Sequence, residues 1–124
     1  MILLDTSAWI EWLLSTEIST TVEQHLPKTR TWLVPTIVQL ELAKTITRDV
    51  NETLADEVIA FTKHCTIIPL NTEIAVEAAQ ACRDHGLSTA DAIIFATAQA
   101  HDAELLTCDS DFADLPGVIY VPKS

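Results

Sequence analysis

The chain has 124 residues, a formal net charge of -11, and 48% hydrophobic residues with only two glycines. That length and apolar content suit a single domain with a real core and exclude a disordered chain. The acidic balance lacks the basic footprint usual for a nucleic-acid enzyme, so such chemistry would need bound cations or a basic partner segment to offset it.

No apolar run reaches membrane-spanning length. The opening Ile2-Leu3-Leu4 is too short for a signal peptide and lacks a basic lead, so a cytoplasmic location is expected. Cys65, Cys82 and Cys108 form no CxxC pair; an odd count of this kind reads as reduced thiols filling the core, not a zinc site.

Residues 2–5 read as a short buried strand, and residues 7–14 and 17–26 as helices, the second stopping before Pro27. Residues 31–34 are strand-like, and Pro35-Thr36 opens a helix to about residue 47. Asn51 is an N-cap for a helix to about 63 with the apolar stripe Leu54, Ala55, Val58 and Phe61. Residues 66–70 form a strand whose Pro69 favours its end or an edge. Asn71 caps a helix with Ile74, Ala75, Ala78, Ala81 and Cys82 on its apolar face, and Gly86 ends it. Residues 88–101 make a nearly all-apolar helix, which should be buried on several sides. Residues 104–108 and 118–121 are the last strands. The alternation predicts one α/β domain: a mostly parallel central sheet of four to five strands, flanked by helices in three layers. Sites in such sheets lie at the carboxyl ends of strands, where Asp5 and Asp109 fall.

Two further acids lie in mostly apolar surroundings: Glu41 within Ile37-Val-Gln-Leu-Glu-Leu-Ala43, and Asp91 within Ala90-Asp-Ala-Ile-Ile-Phe-Ala96. Few cations neighbour these four, and acids are rarely buried unpartnered. Each has a plain structural alternative. Asp5-Thr6-Ser7 can simply open a helix. Ser88-Thr-Ala-Asp91 fits a capping box, where the helix dipole should also lower the Asp91 pKa. Glu41 can pair with Lys44 on the surface. Either Asp109 or Asp111 can cap the turn before Phe112. Together, however, four converging acids call for a divalent cation. Their oxygen ligands suit Mg²⁺ or Mn²⁺, either one ion or two clamping a phosphodiester.

The same segments carry a family resemblance. The hydrophobic run ending in Asp5-Thr6-Ser7, the mid-chain helix with Glu41, the stretch Leu87-Ser-Thr-Ala-Asp91-Ala-Ile-Ile-Phe-Ala-Thr-Ala98 and the element Leu106-Thr-Cys-Asp109-Ser-Asp111-Phe112 occur in the order found in PIN-domain nucleases. The chain resembles most the VapC-type toxin branch. That resemblance implies a metal-dependent endoribonuclease, neutralised by an antitoxin, with Asp5, Glu41, Asp91 and Asp109 as catalytic and metal-binding residues. Asp111 would be a further ligand or a cap only.

Lys44 and Arg48 follow Glu41 at i+3 and i+7 and are candidates for RNA phosphates, or else the ordinary positive end of a helix. Arg83 is a weaker candidate. Trp9, Trp12 and Leu13 share one face of the first helix, either in the core or lining a groove for an antitoxin segment. A homodimer is expected. The rival readings are a receiver-like phosphoacceptor module, which would want paired acids after the first strand, and a catalytically inactive PIN-like scaffold.

Overall fold

All three side chains of β1 (Ile2–Leu4) are buried, as are the four of β2 (Trp32–Pro35). Strands without polar alternation must be covered on both faces, which places them inside a parallel sheet. The computed structural model describes residues 1–14, 16–27 and 31–123. Its sheet has five strands in the order β3-β2-β1-β4-β5, with β3 at Thr66–Ile68, β4 at Glu104–Thr107 and β5 at Val118–Tyr120. Every pairing is parallel, so the sheet is wholly and not just mostly parallel.

Helices in pairs make the first three crossovers. Thr6–Leu13 (α1) and Ser19–Gln24 (α2) join β1 to β2, and Thr36–Asp49 (α3) and Glu52–Thr62 (α4) join β2 to β3. Thr72–His85 (α5) and Thr89–Ala100 (α6) carry the chain back across the sheet to β4. The return runs in the opposite sense from the first two crossovers, so right-handed connections put its helices on the other face.

Local chemistry sets the helix ends where the sequence predicts them. Asn51 accepts from the Leu54 N–H at 2.7 Å and Asn71 from the Ile74 N–H at 2.9 Å. Gly86 ends α5 in the left-handed region, φ 67°, with its N–H on the Cys82 carbonyl. Three expectations shift. The second helix is shorter than residues 17–26, β3 stops at Ile68 with Pro69 just past the end of this edge strand, and Ala75 faces solvent. In α6 every residue from Ile94 to Ala98 is buried, as its composition requires.

Strand order reverses between β1 and β4, which are neighbours although their crossovers leave in opposite directions. The crevice at their carboxyl ends is the topological switch point. A receiver-like sheet has the order 2-1-3-4-5 instead, so the topology excludes that reading.

Candidate metal centre

Asp5 directly follows β1, and register decides what it meets. Leu4 pairs with Leu106, and the Asp5 N–H continues the ladder to the Leu106 carbonyl at 3.1 Å. Thr107 therefore arrives beside Asp5, and its hydroxyl donates to Asp5 Oδ2 at 2.7 Å. Asp5 Oδ1 accepts from the Ser7 hydroxyl at 2.7 Å and from the Ala8 N–H at 2.9 Å, so Asp5 does cap α1. Ser7 and Thr107 act as a pair. Each donates to one oxygen of Asp5, and each accepts a backbone N–H from the segment after β4, Cys108 at 3.0 Å and Asp109 at 2.9 Å. The two hydroxyls thus join the first motif to the last across the switch point.

Asp5 is only 3% exposed. Burial raises its pKa to about 6, against the opposing pull of Thr107, Ala8 and Ser7, and the Asp109 charge adds to the rise. The same burial, with the Asp5 and Glu11 charges, lifts the neighbouring Cys108 thiol to about 11, so that cysteine is an inert core filler.

Glu41 lies on α3, half-buried, and its Oε1 accepts the Thr6 hydroxyl at 2.6 Å. No ion pair with Lys44 forms, so the surface-pair alternative fails. Asp91 is the third residue of α6, where the Ser88 hydroxyl caps its N–H at 3.4 Å. Its carboxyl pKa is raised, contrary to the lowering expected from the helix dipole. Burial is the largest cause, followed by Asp109, with Glu41 and Asp111 adding to it against the Ser88 hydroxyl. Asp109 caps the 3-10 turn Ser110–Phe112 by accepting the Asp111 N–H at 2.9 Å, which leaves the exposed Asp111 side chain free of capping duty. Phe112 anchors that turn in the core.

Oxygens of Asp91, Asp109 and Asp111 lie within 4.8 Å of one another, and among the described residues no histidine or cysteine joins the group. No ion pair among the described residues reaches any of the five acids. An all-oxygen, all-anionic donor set without a protein cation fits a hard divalent ion such as Mg²⁺ or Mn²⁺. Of the four predicted acids, Asp91 and Asp109 share this group, while the Asp109 charge raises the Asp5 pKa and the Glu41 charge adds to the rise at Asp91. Asp111 belongs to the tightest group, whereas Asp5 and Glu41 stand beside it in the grip of hydroxyls. Sequence reasoning overlooked Ser7 and Thr107 as parts of the site, although both stand inside the quoted motifs.

Other predicted residues fare differently. Lys44 is exposed. Arg48 is also exposed, but its guanidinium is engaged by Asp49 at 2.8 and 3.2 Å, and Arg83 donates to Gln80. Trp9 lines no groove. It is fully buried and meets Trp12, Trp32 and Phe61 edge-on, at centroid distances of 5.8, 5.5 and 5.9 Å. Leu13 packs partly buried against the same core. Trp12 does reach a groove of about 440 Å³, which it shares with Trp32, Glu23, Gln24, Leu26 and Pro27. The i, i+3 spacing groups Trp9 with Trp12 but cannot say which of them sits deeper in the wall.

No helix among the described residues is long and apolar enough to cross a membrane. No curated protein matches the chain. Among solved structures it is similar to a toxin–antitoxin complex from Klebsiella pneumoniae, at 26% identity over 96% of each chain with a TM-score of 0.81. It is similar in fold to VapBC2 from Rickettsia felis bound to a promoter DNA fragment, at 19% identity over 100% of each chain with a TM-score of 0.73. A third likeness in fold is to Mycobacterium tuberculosis VapC20, a sarcin–ricin loop cleaving toxin, at 17% identity over 99% of this chain and 100% of that one with a TM-score of 0.75. The PIN-domain model matches residues 2–118, the span that holds all five acids and both hydroxyl clamps, and the chain belongs to the PIN-domain family.

Proposed function

We propose that this protein is a divalent-metal-dependent endoribonuclease and the toxin of a type II toxin–antitoxin pair. One observation carries the reading. Asp91, Asp109 and Asp111 present oxygens within 4.8 Å of one another at the switch point, beside Asp5 and Glu41 and without a protein cation. Those three residues would hold Mg²⁺ or Mn²⁺. The ion, when bound, would supply Lewis-acid polarisation of a phosphodiester and lower the pKa of water. Asp5, with both carboxylate oxygens engaged, adds negative charge behind the group and ties down the Cys108 N–H through Ser7 and the Asp109 N–H through Thr107. Lys44, exposed on α3, would steady an RNA phosphate. Arg48 must first release Asp49 to do the same.

Family membership supports the nuclease reading, and the 26% identical relative, itself a toxin–antitoxin complex, supports the partner. A basic antitoxin segment would suit a chain of net charge -11, and the groove at Trp12 and Trp32 could seat its apolar side chains. We take the protein to be a homodimer that meets its antitoxin in the cytoplasm. The presence of every acid speaks against an inactive scaffold.

Cleavage of RNA in Mg²⁺ or Mn²⁺, and its loss in excess chelator, is the test. Asp5→Asn, Glu41→Gln, Asp91→Asn and Asp109→Asn should each lose most activity while remaining folded. Undiminished cleavage in chelator would overturn the mechanism.

A further inference from the structure

Glu41 differs from Asp5 and Asp109 in how it is held. Asp5 accepts the Ala8 N–H and Asp109 the Asp111 N–H, so backbone donors at helix and turn starts orient both. Glu41 is the sixth residue of the 14-residue α3, where neighbouring N–H groups are spent inside the helix. Its longer side chain also has one more dihedral to order than an aspartate. The Thr6 hydroxyl on α1, at 2.6 Å from Oε1, is the only hydrogen-bond donor that reaches this carboxylate among the described residues. Thr6 directly follows Asp5 in the chain, so the bond ties Glu41 to the motif that carries Asp5.

We infer that Thr6 is a positioning residue, whose hydroxyl fixes the Glu41 carboxylate so that Oε2 alone is available to a cation at the Asp91, Asp109 and Asp111 group. The inference rests on the metal reading above. Thr6 touches neither substrate nor cation in this role and acts only through Glu41. The hydroxyl is the working part, so Thr6→Ser preserves the function. Thr6→Val keeps the shape and removes it. Thr6 is only half-buried, so valine there leaves no deeply buried polar group behind.

The experiment is calorimetric titration of the full chain with Mn²⁺, with melting temperatures measured alongside. Thr6→Val should bind Mn²⁺ about tenfold more weakly than the parent, as expected for loss of a group that orients a ligand. Thr6→Ser should return to within about twofold, well inside that loss. In a Glu41→Gln background, Thr6→Val should weaken binding no further, because the two substitutions remove one interaction. Unchanged Mn²⁺ affinity in Thr6→Val with a lowered melting temperature would make the bond a plain tie between α1 and α3 and overturn the inference. An additive loss in the Glu41→Gln background would overturn it as well. A parent that binds no Mn²⁺ would fell the metal reading and this inference together, whereas normal parent binding with an indifferent Thr6→Val fells the inference alone.

Discussion

Replacing Asp5 by asparagine should stabilise the metal-free protein at neutral pH, and the size of the gain follows from the site. Burial raises the folded pKa of Asp5 from 3.8 to about 6. A raised carboxyl holds its proton more tightly in the folded state. Its contribution is therefore fully present below pH 3.8 and is lost as pH rises through about 6. A shift of about two units is worth about 3 kcal/mol by pH 7. Asparagine escapes that loss and keeps a carbonyl oxygen for the Ala8 N–H and the Ser7 hydroxyl. Its amide, however, must face a Thr107 hydroxyl that now donates to Asp5 and accepts from the Asp109 N–H. The Thr107 proton can turn toward Ser7 Oγ at 3.4 Å, a poorer bond that costs about 1 kcal/mol. The net gain at pH 7 is about 2 kcal/mol, or about 8 °C in melting temperature for a domain of this size. In acid the sign reverses, because the protonated parent then keeps its better hydrogen bonds; the curves should cross at about pH 4.5. Urea unfolding of both proteins in chelator, from pH 4 to pH 8, measures this directly. Curves that stay parallel across that range would refute the reasoning, as would an asparagine variant that is the less stable at pH 8.

Mn²⁺ should raise the parent's melting temperature and raise that of Asp91→Asn or Asp111→Asn less; equal shifts in a thermal scan would mean that the acids do not share one site. Trp9→Ala should lose about 3–5 kcal/mol of stability through core truncation. Trp12→Ala should lose less stability and instead weaken antitoxin binding by about 2 kcal/mol or more, and unfolding together with affinity titrations on both variants separates the roles. Lys44→Ala should lower the salt slope of RNA binding by about 1. Arg48→Ala, whose guanidinium already sits on Asp49, should change that slope less.

Strand and helix order were legible in the sequence because local signals agreed with the tertiary demand. The all-apolar Ile2-Leu3-Leu4 suits a strand covered on both faces, and Asn51, Asn71 and Gly86 mark their helix ends by the bonds they make. The acids were legible as exceptions in apolar runs. Their hydrogen-bond partners were not. Thr107 and Asp5 are 102 residues apart, and only the β1–β4 register brings them together. The sign of the Asp91 shift was misread for a related reason. A capping position argues for a low pKa, but burial and the Asp109 charge, both products of the assembled fold, outweigh it. Trp9 and Trp12 show the limit of periodicity. Three residues apart on α1, they share a face and both meet Trp32 and Phe61, but the assembled fold covers Trp9 completely and leaves Trp12 on the groove wall.

The most direct test of the account is the position of Mn²⁺ by anomalous diffraction from crystals of the parent grown or soaked with the ion. The account predicts a peak bounded by the Asp91, Asp109 and Asp111 carboxylates, with Glu41 turned toward it. An Mn²⁺ peak elsewhere on the protein, or no peak in crystals of a preparation that cleaves RNA with Mn²⁺ in solution, would contradict it.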